Sequence, residues 1–342
     1  MKRIARYLLF AFLLWLLFLV LSMVLPPLVH KTAGPGDWDE KSGMMDAAPE
    51  RVRSIDDNQD ALLWRLRLIE AAQERVILAT FDFWDGESGR DMMGALWNAA
   101  ERGVEVQILV DGLNGGGKPL SSSGLFCQLA AHENVEVRLY NPLNLLTPWK
   151  TNYRMHDKYL IADDLAYLLG GRNTDDRFLG RYTDGYNVDR DILVYETEPG
   201  QGQSYRQLLD YFDRIWSLPC CKVLDRPGEG EDLSQCYEET RARYPEAFAA
   251  PLTQTEWEAA TLETEGVELW TNPIEPENKK PILWARMMDA MAKAEEVLVQ
   301  TPYIICSRDM YSDLRSVCGG GTRTDIPVSY THLRAHETAA NL

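Results

Sequence analysis

From Tyr7 to Leu25 nineteen consecutive residues carry no charge, and only Tyr7 and Ser22 bring polar groups. A helix over that run would be about 28 Å long, close to the hydrocarbon thickness of a bilayer. Pro26-Pro27 closes it, and residues 30–58, polar with Gly, Pro and acids, read as a tether. From Asp60 the pattern becomes regular. Leu62, Leu63, Leu66, Ile69 and Ala72 recur at helical spacing, and Arg75 to Phe81 reads as a short buried strand. Met92 to Arg102 predicts a second helix, stopped by Gly103, and Val104 to Val110 a second strand. Helix–strand alternation at this spacing implies crossover units, hence an α/β fold with a mixed, largely parallel sheet. Further strands fit Val135–Tyr140, Tyr159–Ala162, Ala166–Leu169 and Asp191–Val194, and Tyr205 to Trp216 fits an amphipathic helix.

Part of this pattern recurs. Ala72 to Thr80 aligns with Lys293 to Thr301 at an offset of roughly 221. Arg90-Asp91-Met92 then matches Arg308-Asp309-Met310, with Leu96 on Leu314, Gly103 on Gly321 and Ile108 on Ile326, at an offset near 218. Matches in this order read as a duplicated unit whose second copy begins near Gly266 and stops after its second strand. The expected organisation is therefore a basic stub and anchor (1–29), a tether (30–58), a first repeat (59–225), a connector (226–265) and an incomplete second repeat (266–328). Residues 329–342 fit neither repeat nor cap and read as a non-native tail.

Charge refines the picture. Thirty-five basic against fifty-two acidic side chains leave a net charge of −17, which argues against nucleic acid as a partner. A small basic pocket for one phosphate stays open. Six scattered cysteines without a CxxC pair suggest neither a disulfide scaffold nor a zinc site. Lys2, Arg3 and Arg6 precede the apolar run, while Asp37, Asp39 and Glu40 follow it with only Lys31. The positive-inside rule then predicts a single-pass cell-membrane protein with its N-terminus cytoplasmic and its body outside. A cleaved signal is the weaker alternative, because no convincing small-x-small site precedes Pro26.

The candidate chemistry lies in Arg154-Met155-His156-Asp157-Lys158-Tyr159-Leu160-Ile161-Ala162-Asp163, followed by Gly170-Gly171-Arg172-Asn173. In extended chain His156 and Lys158 point to one face. A neutral imidazole there can attack phosphorus while the ammonium holds the non-bridging oxygens. Gly170 and Gly171 allow close backbone approach to a ligand, and the Asn173 amide can donate to a phosphate oxygen. Asp163, at the far end of the strand, can anchor a turn by accepting backbone N–H bonds.

His-x-Lys-x₄-Asp followed by Gly-Gly-x-Asn resembles the signature of the phospholipase D superfamily. The resemblance extends over residues 60–220 through the Arg102–Val106 strand entry, the Tyr140-Asn141-Pro142 turn and Arg190-Asp191, and more weakly over 266–328. It implies an α/β/α sandwich built as a pseudo-repeat, with two signatures sharing one site. One histidine becomes a phosphohistidine and the other protonates the leaving alcohol, with no metal or other cofactor. With an anchor, the chain looks most like the bacterial cardiolipin synthase and phospholipase D branch, acting on a phospholipid such as phosphatidylglycerol. Carried over, the catalytic set is His156, Lys158 and Asp163, with Lys158 and Asn173 on the phosphate. A nuclease or other phosphodiesterase, or an inactive remnant, are the alternative readings.

A second signature histidine is expected near position 374, beyond Leu342. A homodimer could complete the pair. His332 and His336 have the spacing of a helical metal pair but no Glu beside His332, which disfavours a metal site. Gly112 to Pro119 nearly spells a phosphate loop, yet Pro119 replaces the magnesium-holding hydroxyl, and a plain mobile loop is the better reading. Asn144 to Trp149 is apolar and reads either as core or as a lipid-facing lip of the site.

Overall fold

The computed structural model describes residues 2–28, 32–34, 36–38, 49–113, 123–144, 146–224, 232–301, 304 and 306–326. The expected tail, His332 and His336, and most of the Gly112–Pro119 loop lie outside the described residues. The chain divides into two compact units, Met1–Pro26 with Gly43–Leu269 and Pro27–Ser42 with Trp270–Leu342. Helix α1 (Lys2–Leu28) spans the apolar run, and the protein buries none of its most apolar stretch, Arg3–Ser22.

The first unit is a sheet covered on both faces. Its strands are β1 (Glu50–Ile55), β2 (Arg75–Thr80), β3 (Glu105–Asp111), β4 (Val135–Tyr140), β5 (Tyr159–Ala162), β6 (Ala166–Gly170), β7 (Asp191–Glu196), β8 (Cys221–Val223) and β9 (Leu262–Glu263). Their spatial order is β8-β4-β3-β2-β5-β6-β7-β1-β9. The sheet is mixed, as expected, but only two of its eight pairings are parallel, β2–β3 and β3–β4, and these fall where helices alternate with strands. The other pairings are antiparallel, and only β5 and β6 among them are joined by a tight reversing turn.

Side-chain alternation separates the two faces. Val76, Leu78, Val106, Ile108, Leu160 and Leu168 share one core with α2 (Asn58–Ala71), α3 (Glu87–Glu101) and α4 (Gly124–Ala130). The alternate positions Ile77, Ala79, Tyr159 and Ile161 are equally buried but outside that core. Helix α5 (Gln203–Trp216) lies on their side, where Tyr211 and Tyr205 hydrogen-bond to Asp157 and to the Asp163 carbonyl.

Three local outcomes differ from the sequence reading. Helix α3 starts at Glu87, well before Met92, because Asp176 caps it from a distant loop. Its carboxylate accepts the N–H groups of Glu87 and Ser88 at 3.2 and 2.8 Å, and no local residue signals this. The tether ends earlier than residue 58, since Glu50–Ile55 pairs with β7 along its whole length. Its arginines are neutralised across the fold: Arg51 meets Glu263 at 3.2 Å and Arg53 meets Asp60 at 2.9 Å. The stretch expected as a connector folds into α6 (Leu233–Arg243), α7 (Gln254–Ala260) and β9. There Trp257 stacks on Tyr195 with centroids 4.4 Å apart. Gly94 admits α6 against α3, for a Cβ on it would lie 2.7 Å from the Tyr237 nitrogen.

The second unit repeats the order of the first. It contains α8 (Ile282–Lys293), β10 (Glu296–Leu298), α9 (Arg308–Gly319) and β11 (Arg323–Asp325), with β10 and β11 parallel. Arg75 pairs with Glu105 in the first unit and Glu296 with Arg323 in the second, so the observed registers reproduce the sequence offsets of 221 and 218.

Two buried polar clusters lock the first unit. Asp191 is fully buried and meets Arg65 of α2 at 2.8 Å and Arg172 at 3.4 Å. Glu50 and Glu196 are cross-strand partners, both buried; Glu50 accepts from Ser204 and Val267, and Glu196 accepts the Gly202 N–H. Burial pushes the Glu196 carboxyl up to about 7, helped by Glu50 and Asp164 and opposed by the Gly202 N–H and Arg206.

Asp191→Ala should destabilise the fold by about 3–5 kcal/mol, because two guanidinium groups lose their buried counter-charge. Denaturant titration in detergent checks it, and a loss under 1 kcal/mol would contradict the clamp. Glu196 binds its proton more tightly folded than unfolded. Its contribution is therefore complete below pH 4.5, the ordinary value, and is lost as pH rises through about 7. The melting temperature should fall between pH 5 and 8, and Glu196→Gln should flatten that slope; an unchanged slope in the variant would refute the assignment.

Candidate active site

Strand β5 lies between β2 and β6 and runs antiparallel to both. Its start therefore sits at the edge where β2, β3 and β4 end and where β6 ends. His156 and Lys158 immediately precede β5 at that edge. They share a face, as the two-residue spacing predicts. The Phe81 ring is 4.7 Å from the His156 imidazole, edge-on, and 5.3 Å from the Lys158 ammonium. The Lys158 Nζ also donates to the His156 carbonyl at 2.6 Å. Asp157, between them, faces α5, where the Tyr211 hydroxyl donates to its carboxylate at 2.8 Å.

The Gly-Gly-Arg-Asn turn closes the other side. Gly170 donates its N–H to the Lys158 carbonyl at 3.1 Å. A Cβ on Gly170 would lie 1.9 Å from the Asp191 carboxylate, and one on Gly171 would lie 2.3 Å from that of Asp189. Both glycines thus make room for acids of the same protein. Arg172 is fully buried and donates to the carbonyls of Ile55, Asp56 and Asp189. Asn173 is buried too, and its Oδ1 accepts the Asp82 N–H at 3.4 Å. That bond uses the amide oxygen and leaves the NH₂ group as the donor of this side chain.

Electrostatics suit an anion. His156 is exposed, yet partial desolvation and the Lys158 charge hold its imidazole below the ordinary histidine value, so it is neutral at pH 7. Desolvation pushes Lys158 down to about 8, although Asp157, Asp189 and Asp82 pull the other way. A neutral imidazole beside a partly desolvated ammonium is a pairing that a bound anion would complete.

The structure brings His156, Lys158 and Asn173 to one edge and takes Asp163 elsewhere. Asp163 follows β5, about 16 Å of extended chain beyond Lys158. Its φ is 49°, and its carboxylate accepts the N–H groups of Gln73, Glu74 and Arg75 at 2.7–2.9 Å. Asp163 therefore ties β5 to the α2–β2 turn, at the opposite end of the strand from His156 and Lys158. Sequence reasoning missed Asp111, the buried carboxylate ending β3. It receives Arg154 and the Met155 N–H at 2.9 and 3.0 Å and so fixes the approach to His156. An acid closing an apolar strand was its only local signal. Asp189 and Phe81 left no signal at all.

Comparison with known proteins agrees. Residues 66–216 match the family described as cardiolipin synthase, PLD-like domain. Cardiolipin synthase C of Escherichia coli K12 is 33% identical over 190 residues, 52% of this chain and 38% of that protein. Cardiolipin synthase B of the same strain is 33% identical over 150 residues, 40% of this chain and 35% of that protein. The matched stretch thus spans little more than a third of either relative. The crystal structure of a phosphatidylserine synthase from Haemophilus influenzae Rd KW20 superposes with a TM-score of 0.55 at 14% identity, covering 81% of this chain and 61% of that one, a likeness of fold. Residues 66–216, which gather His156, Lys158 and Asn173 at one sheet edge, are similar to the PLD-like domain of cardiolipin synthases, the branch of the phospholipase D superfamily that the sequence resembles.

Proposed function

We propose that the chain is a membrane-anchored enzyme that forms a phosphohistidine at His156 from a phospholipid such as phosphatidylglycerol. Transfer to an alcohol gives a cardiolipin-synthase-like reaction, and transfer to water gives hydrolysis. The observation that carries this reading is the shared face of His156 and Lys158 against Phe81, with the Asn173 amide beside them. The names of the matched relatives support a phospholipid substrate, and α1 supports the anchor; the basic Lys2, Arg3 and Arg6 before the apolar run are what favour a body outside the cytoplasm.

In the first step an imidazole nitrogen of His156 bonds to phosphorus and the P–O bond to the leaving alcohol breaks. Lys158 and Asn173 take the charge on the non-bridging oxygens. The departing alkoxide needs a proton from the opposite side of phosphorus. His156 cannot supply it while attacking, and His-x-Lys occurs once in this sequence. A second signature, on a longer protein or a second copy in a homodimer, fills that role.

The test is turnover of phosphatidylglycerol vesicles by the reconstituted protein. His156→Ala should lose about 10³-fold or more of any activity present, and Lys158→Ala about 10²–10³-fold. Near-native turnover in His156→Ala would overturn the assignment. Binding of inorganic phosphate, measured by calorimetry, should weaken as pH rises through about 8, where Lys158 loses its proton. Lys158→Met should bind weakly at every pH; a retained step near pH 8 in that variant would assign it to another group.

A further inference from the structure

The two ends of the first unit differ in kind. At the end away from the site, the turns present Gln73, Glu74, Arg102, Glu133, Asp164 and Glu198, all exposed and polar. At the site end the loops after β2, β3, β4 and β6 expose large apolar side chains, whereas Asp56 and Asp57 after β1 and residues 217–220 before β8 do not. Trp84 follows β2, Leu113 follows β3, Leu143, Leu146 and Trp149 follow β4, and Tyr186 and Val188 follow β6. Leu146 is 83% exposed, Val188 74% and Tyr186 61%. The other large exposed hydrophobics described in Gly43–Leu269, Val223 and Leu262, lie on the edge strands β8 and β9. The apolar stretch before the signature is thus a lip rather than core.

An apolar rim gathered from separate loops around one site marks an interaction surface. Its occupant is indicated by α1. That helix exposes apolar side chains on all sides, and lipid is the medium that covers such a helix. Phe18 of α1 and Trp149 of the rim are in edge contact, centroids 6.1 Å apart. The rim is therefore continuous with the segment that enters lipid. Its aromatic members, Trp84, Trp149 and Tyr186, are the types favoured at the membrane–water interface.

We propose that the loops at the site end dock face-on to a phospholipid bilayer, so that His156 and Lys158 meet headgroups at the surface without lifting a lipid out. The proposal rests on the phospholipid reading of the site and adds the surface that presents the substrate. The test uses the full chain carrying Cys220→Ser, Cys306→Ser and Cys318→Ser, with a nitrobenzoxadiazole label at Leu146→Cys, Tyr186→Cys or, at the opposite end, Glu198→Cys. Each is reconstituted in vesicles of phosphatidylglycerol and phosphatidylcholine containing a nitroxide-bearing lipid. Labels at 146 and 186 should shift to the blue and be quenched at least twofold, with 198 unaffected. Equal quenching at all three sites, or none at 146 and 186, overturns the proposal. A blue shift without quenching also overturns it, placing protein on the rim. The labels report independently of turnover. Phosphatidylglycerol turnover without quenching therefore rejects the rim alone, and quenching without turnover supports the rim while lending the catalytic reading no support.

Discussion

Asp191 carries a carboxylate where water does not reach, and two arginines from distant parts of the chain meet it there. Arg65 comes from the middle of α2 and Arg172 from the turn after β6. Removing either partner would leave charge in a medium of low dielectric, so the three positions hold one another. The same carboxylate leans into the space that a side chain at position 170 would occupy. Gly170 is thereby tied to β7, Arg172 to the entry of α2 through Asn58, and Asn173 to the loop after β2. The Gly-Gly-Arg-Asn turn inherits its shape from a buried ion cluster.

Strand β5 carries the consequences in both directions. At one end Lys158 sits against Phe81 with its charge partly stripped of water; at the other Asp163 accepts three backbone N–H groups. The first arrangement makes the ammonium receptive to an anion. The second costs little and fixes the height of the strand in the sheet. With Tyr211 holding Asp157 on one face, the His156–Lys158 pair is left with the other. Asp157, Asp189 and Asp82 favour the protonated form of Lys158 against its partial desolvation.

Most of the fold was legible because periodicity reports burial directly. The strands from Arg75 to Val194 and the helix at Tyr205 fall where alternation and helical spacing put them, and the repeat offsets reappear as strand registers. His156, Lys158 and Asn173 were legible because spacing of two and a Gly-Gly turn are local features. What stayed hidden depends on contacts across the chain. Asp176 caps α3 from 88 residues away, and Trp257 completes the core beside Tyr195. The charged strand Glu50–Ile55 has no apolar alternation to announce it, since its arginines find partners only in the folded sheet. Asp163 was legible as a turn anchor, and its carboxylate accepts the backbone N–H groups that such a reading requires.

The central claim is that the His156 imidazole accepts the phosphoryl group. The direct measurement is to expose the protein to phosphatidylglycerol labelled with ³²P, quench in base, digest, and locate the label. The account predicts a single labelled peptide containing His156, released by mild acid and missing from His156→Asn. Label on a hydroxyl or carboxylate, or undiminished labelling of His156→Asn, would contradict it.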